Sequence, residues 1–260
     1  MTTNQFFIKK SQIDSDGVVT LEGSDARHIR LVLRLKKGSR IRLVDEDRNS
    51  HVASVETVAE KAVTVRIEES IAPKLSESGK SSEFSHGRVT IIQGIPRLPK
   101  ADLIVQKLTE LGVEGILFAP TERTPYRDGE SRISARIERL RRIAESAAKQ
   151  CSRSNIPDVG FCMNLEAALE SVGPDALMLV ADESARSEST GKSLRDNLQK
   201  SRQKSDIAVF IGPEGGFSET EAEMIKNAGA KPFSLGRNIL RTETAAIVAA
   251  ALVLYEIGEI

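Results

Sequence analysis

Two glycine-containing segments near the C-terminal end of the sequence hold the residues best suited to chemistry. The first, IGPEGGFSETE over residues 211–221, gathers Gly212, Pro213, Glu214, Gly215 and Gly216 directly after an apolar run. The second, LGRNILRTET over residues 235–244, contains Leu235, Gly236, Ile239, Leu240, Arg241 and Glu243. Glycines let the backbone approach a ligand closely and expose N–H and C=O groups able to read an adenine edge. A guanidinium such as Arg241 can stabilise a developing anion, and a carboxylate can accept a proton. The first segment lacks the Lys and hydroxyl of a G-x-x-x-x-G-K-[ST] loop and the spacing of a G-x-G-x-x-G fingerprint. Glu214 would also repel a pyrophosphate. These features suit a ligand bound without phosphate and disfavour a nucleotide-dependent oxidoreductase. A glycine-rich turn that holds nothing is the alternative.

A second chemistry lies near the other end. From Arg27 to Arg42 the charged residues are Arg27, Arg30, Arg34, Lys36, Lys37, Arg40 and Arg42, with no acid among them. On a helix over 25–33, Arg27, Arg30 and Arg34 are spaced three and four apart and share one face. Such a row fits phosphate contacts, which fix register without reading sequence; a solvated basic face is the plainer reading. His28 sits inside this stretch. Arg123 and Arg127 open a further basic run, diluted by acids, that follows a strand-like segment.

The elements that must position these residues change character along the chain. Short alternating segments at 17–21, 40–44, 51–55 and 62–67 read as half-buried strands, forming a small β domain over residues 1–72. Residues 73–87, rich in Ser, Gly, Lys and Glu, read as a linker. From 88 to 260, strand-like runs at 89–92, 115–118, 176–180 and 207–211 alternate with helical ones near 100–111, 132–150, 189–203, 219–228 and 242–257. That rhythm implies an α/β domain with a mostly parallel sheet. Ligands of such sheets bind outside the carboxyl ends of the strands, which is where the glycine-rich segment falls, at one edge of the sheet. Ser218 and Glu221 form a capping box that starts the next helix at once. Thr242 or Thr244 reads as a helix cap, and the alanines of the last helix suit either core packing or a helix–helix interface.

Composition narrows the classes further. With no Trp and 4% aromatics, an aromatic platform for single-stranded nucleic acid is not the expected mode. A formal net charge of zero provides no global attraction to polyanions. Cys151 and Cys162 have no CxxC partner and no His at ligand spacing, so no metal site is expected. No signal-peptide pattern opens the sequence and no apolar run reaches the ~20 residues of a membrane span. A cytoplasmic location is expected.

The two C-terminal segments together, IGPEGGFSETE and SLGRNILRTETAAIVAAAL, resemble the signature of the SPOUT methyltransferases, and more narrowly of the RsmE family of bacterial ribosomal RNA methyltransferases. RHIRLVLRLKKGSRIRL, VQKLTELGVEGILFAPTERT and AESAAKQCSRSNIPDV resemble other segments of that family, in the same order. The resemblance implies a PUA-like β-barrel domain followed by a SPOUT domain with a trefoil knot. It implies S-adenosylmethionine as cofactor, homodimerisation, and methylation of N3 of a uridine in small-subunit rRNA, with the rRNA or the assembled small subunit as the expected partner. Carried onto this sequence, the cofactor site would use Leu179 and Val180, then Gly212, Pro213, Glu214, Gly215 and Gly216, and finally Leu235, Gly236, Ile239, Leu240 and Arg241. Arg241, Glu243 and Arg123 are the expected catalytic residues, and Arg27, His28, Arg30, Arg34 and Arg127 the RNA-binding ones. A SPOUT enzyme with another target, a ribose 2′-hydroxyl or a tRNA base, is an alternative, as is a non-catalytic RNA-binding assembly factor.

Overall fold

The computed structural model describes residues 4–72, 88–97, 99–124, 130–182, 190–200 and 206–260. The chain divides into two compact units, residues 1–77 with 148–155, and residues 78–147 with 156–260. The stretch expected to be a linker, 73–87, lies outside the described residues.

In the first unit, β1 (Gln5–Phe7), β2 (Val18–Glu22), β3 (Arg40–Val44), β4 (Ser50–Val58) and β5 (Ala62–Ile71) form one sheet in the order β1-β3-β4-β5-β2. Only the β1/β3 pair is parallel. Alternation along β4 and β5 sends Ala53, Val55, Val63 and Val65 into a core shared with Phe6, Leu21, Ile29, Ile41 and Leu43. The segment 148–155 belongs to this unit by direct contact. Lys149 Nζ pairs with Asp25 at 2.8 Å, the Gln5 side chain donates to the Arg153 carbonyl, and Arg42 donates to the Ser152 carbonyl.

The basic helix departs from expectation. Its first turn, α1 (Gly23–Arg27), is α-helical, but His28–Leu33 winds as a π-helix. Arg34 closes it in the left-handed conformation (φ 51°), donating its amide to the Ile29 carbonyl. A π turn spreads five residues over each hydrogen-bonded loop instead of four. Arg27, Arg30 and Arg34 therefore do not form one row. Arg27, His28, Leu31, Val32 and Arg34 are exposed, while Arg30 is half-buried with its Nε shielded from solvent.

The second unit holds a six-stranded, wholly parallel sheet in the order β11-β9-β10-β6-β7-β8. Its strands are β6 (Val89–Gly94), β7 (Gly115–Ala119), β8 (Asp158–Phe161), β9 (Leu177–Ala181), β10 (Ile207–Ile211) and β11 (Lys231–Phe233). Its helices are α2 (Lys100–Leu111), α3 (Glu130–Gln150), α4 (Leu165–Glu170), α5 (Thr190–Lys200), α6 (Glu219–Asn227) and α7 (Thr242–Glu256). Both faces of the sheet are covered, so β10 is buried at every position. Its Ile207, Val209 and Ile211 join one core with α2, α3, α5 and α7. Ala208 and Phe210 join another with α4 and α6.

Ala246, Ala249 and Ala250 are fully buried and let α7 pack against α2, β6 and β10, so these alanines serve the core. β8 and α4 escape the periodicity reading because four and six residues are too few to establish a period. The glycine-rich loop leaves β10, an interior strand, and only the second loop leaves the edge strand β11. The expectation that the glycine-rich segment falls at one edge of the sheet is corrected accordingly.

Candidate active site

A cleft of about 600 Å³ opens beyond the carboxyl ends of β9, β10 and β11, where ligands of parallel sheets bind. Val180, Gly212, Pro213, Glu214, Gly215 and Gly216 line it, as do Leu235, Gly236, Ile239, Leu240 and Arg241. Of the residues expected to hold a cofactor, Leu179 alone is absent from the wall. It lies in the core at 0% exposure, further from the carboxyl end of β9 than Val180 and Ala181, which reach the cleft. Of those expected to be catalytic, Arg241 and Arg123 line the cleft and Glu243 does not. The wall also contains Lys100, Asp182, Phe217 and Asn238, which the sequence did not single out, and Thr242 and Ala245, which it read in other roles.

The loop is shaped by its glycines. A Cβ on Gly212 would lie 2.9 Å from the Gly216 Cα, so the tight fold leaves no room for a side chain. Gly216 has φ +69°, which L residues rarely adopt. Beneath the loop, the fully buried Gln93 lies at the end of β6. Its amide nitrogen sits within 2.9–3.4 Å of the Gly94, Ile211 and Gly212 carbonyls and of the Thr242 hydroxyl. Thr242 in turn donates to the Gly212 carbonyl at 2.6 Å. Thr242 thus fastens the loop to the start of α7, and Arg241 takes the N-cap position without a side-chain cap bond. The expectation that Thr242 or Thr244 caps the helix is corrected.

Electrostatics order the rim. Lys100 Nζ lies 3.2 Å from Glu214 and 3.1 Å from Glu243. The Arg97 amide donates to Glu214 at 3.0 Å. Partial burial disfavours the Glu214 carboxylate, but the amides of Arg97 and of Glu214 itself, with Lys100, outweigh it and hold the pKa below its ordinary value. Arg123 donates to the Gly215 carbonyl at 2.8 Å. The capping box forms as expected: Ser218 and Glu221 bond reciprocally, and the same carboxylate accepts from the Glu122 amide. No carboxylate pairs with Arg241 among the described residues. Arg27, His28 and Arg34 are exposed on the first unit, Arg30 is half-buried, and Arg127 lies outside the described residues. Among the described residues, no group of three or more His, Cys, Asp or Glu could hold a metal ion. None of their helices is long and apolar enough to cross a membrane.

The model of the RNA methyltransferase domain family matches residues 82–254, and that of the RNA methyltransferase PUA domain matches residues 21–68. The ribosomal RNA small subunit methyltransferase E of Rickettsia conorii is 28% identical over 254 residues, 97% of this chain and 96% of its own length. The Bacillus subtilis protein of that name is 25% identical with the same coverage. Among solved structures, a putative methyltransferase from Legionella pneumophila in complex with the cofactor SAM gives a TM-score of 0.81 at 26% identity, covering 97% of both chains. The ribosomal RNA small subunit methyltransferase E of Neisseria gonorrhoeae, bound to S-adenosyl methionine, gives 0.79 at 26%, again over 97% of both. Matched in both units and aligned with these relatives nearly end to end, the chain belongs to the RNA methyltransferase family of ribosomal RNA small subunit methyltransferase E.

Proposed function

We propose that the chain is an S-adenosylmethionine-dependent methyltransferase of small-subunit rRNA, that its target atom is N3 of a uridine, and that it acts as a cytoplasmic homodimer on the assembled subunit. The observation that carries this reading is the cleft at the carboxyl ends of β9, β10 and β11, walled by the glycine-rich loop and the segment leading into α7. Its volume suits a small-molecule ligand. A loop that carries a carboxylate and lacks a phosphate-binding lysine fits a cofactor without phosphate groups. Val180, Ile239, Leu240 and Ala245 offer apolar surface for an adenine ring, and the loop backbone offers polar groups for its edge. The cofactor, when bound, supplies a methyl group on a positively charged sulfur.

The chain's own residues would do the rest by position and charge. Alignment of donor and acceptor alone contributes several kcal/mol. N3 of a uridine becomes nucleophilic only as its proton leaves, and the Arg241 guanidinium, unpaired with any described carboxylate, would hold the uracil and stabilise the developing negative charge. Arg123, bonded to Gly215, would hold the loop against the cofactor. Dimerisation is supported by the outward side of α7 and α2, where Leu103, Leu252 and Tyr255 are exposed at 40%, 39% and 65%. The trefoil knot belongs to the same reading, supported by α7 returning from β11 to bond the loop after β10 through Thr242.

The test is methyl transfer from labelled S-adenosylmethionine to small subunits lacking their native modifications, with naked rRNA and tRNA in parallel and the product digested to nucleosides. A 3-methyluridine peak from the subunits is expected. Label in a 2′-O-methyl nucleoside or in tRNA would overturn the target, and absence of cofactor binding would overturn the reaction.

A further inference from the structure

We infer that Lys100 is a positioning residue of the methyl-transfer site, joining the glycine-rich loop to the first turn of α7 by neutralising Glu214 and Glu243 at once. The inference rests on the reading of the cleft as a cofactor site.

Lys100 begins α2, more than a hundred residues before either chemistry-bearing segment. It nevertheless lines the cleft, and its ammonium lies 3.2 Å from Glu214 and 3.1 Å from Glu243. Glu214 belongs to the loop after β10 and lines the cleft, and Glu243 belongs to the first turn of α7 outside that lining, so the lysine ties together the two segments that form the wall of the site. The three side chains are 25%, 28% and 13% exposed, which screens the interaction only partly.

The compensation of the two acids is unequal. Glu214 also accepts the Arg97 amide. Glu243 Oε2 is shielded from solvent and has no hydrogen bond in good geometry, so the facing ammonium is its main counter-charge, supplemented by the N-terminus of its own helix. Arg123 is committed to the Gly215 carbonyl, and Arg241 pairs with neither acid. One lysine therefore does what Arg241 would otherwise be drawn into, and the guanidinium is left facing the cleft.

Two layers of contact hold these walls. The inner one, Gln93 with Thr242 and Gly212, is made of buried neutral hydrogen bonds and does not depend on Lys100. The outer one is ionic. Removing only the ammonium leaves the inner layer in place while two like charges, one on the loop and one on the first turn of α7, are left beside each other, pushing loop and helix apart. The fold survives and the cofactor site loosens.

The experiment compares the full-length chain with K100M, which keeps the length of the side chain without its charge, with K100R, and with K100M/E243Q. Cofactor binding is read by calorimetry, and unliganded stability by thermal melting. K100M should weaken S-adenosylmethionine binding by about tenfold, a change of about 1.4 kcal/mol, and lower the melting temperature. K100R should keep most of the affinity. K100M/E243Q should recover most of both losses, because removing one carboxylate ends the repulsion; a packing role for the lysine stem would show no such recovery. Unchanged binding in K100M, or no recovery in the double variant, overturns the inference. If K100M does not fold, recovery of a folded, cofactor-binding chain by E243Q supports the inference, and failure to recover it overturns it. A wild-type chain that binds no S-adenosylmethionine overturns the cofactor reading by itself. The melting comparison then still decides whether Lys100 joins the two acids.

Discussion

Glu214 shows how much a single side chain here depends on its neighbours. Its folded pKa lies below the ordinary value: burial opposes ionisation, and the amide donors with Lys100 overcome it. The stabilisation it contributes is therefore fully present above the unfolded carboxylate pKa and is lost as pH falls through the lower, folded one. The stability gap between wild type and Glu214→Gln should be constant near neutrality and shrink below about pH 4.5, as read from denaturant midpoints across the acidic range. A gap that instead widens toward low pH would show that Glu214 is held protonated. Arg241 makes the complementary prediction. Having no carboxylate partner to lose, Arg241→Ala should leave cofactor affinity nearly unchanged and lower the single-turnover rate by about a hundredfold. A variant that loses affinity in proportion to rate would place Arg241 on the cofactor instead. The glycines, Glu214 and Arg241 could be picked from the sequence because their types are unusual together. Lys100 could not, since a lysine opening a helix is ordinary until two distant carboxylates are folded onto it.

At the level of elements, the loop and the helix behind it make separable demands. Ser218 accepts the Glu221 amide and Glu221 answers the Ser218 amide. Ser218→Ala should therefore cost about 1 kcal/mol, seen in denaturant unfolding, while the cleft keeps its ligand. Gly216→Val should do the reverse in proportion. With φ +69° at that position, a branched side chain strains the loop and stands where the backbone must meet the ligand. Cofactor binding should disappear from a chain that still folds; wild-type affinity would make the loop a turn and nothing more. The capping box was readable because S-x-x-E is a local rule. The π turn after α1 was not, because arginines three and four apart read as one face of an ordinary α-helix. Ala26 and Ile29 are taken into the core of the first unit, a spacing that an α-helix would satisfy as well.

For the whole molecule, a net charge of zero hides a local imbalance. Arg27 and Arg34 are exposed within a stretch free of acids, whereas Arg30 is half-buried and unsuited to the same job. Replacing Arg27 and Arg34 with Ala should weaken binding to small-subunit rRNA across sequences and reduce the magnitude of its log–log salt slope by about 2. An unchanged slope measured by filter binding would remove this face from the RNA contact.

The sequence by itself determined the elements with a long enough period and the loops with unusual composition. Those features are local: alternation marks β4 and β5, an unbroken apolar run marks β10, and a capping box marks α6. Only the tertiary structure decided which distant residues meet. It brought residues 148–155 back to the first unit, left Leu179 in the core while the end of β9 borders the cleft, and set Glu243 against Lys100. The physical reason is that burial and pairing are properties of three-dimensional neighbours. The order of strands in a parallel sheet, here β9 and β6 flanking β10, chooses those neighbours without leaving a mark on any one stretch of chain.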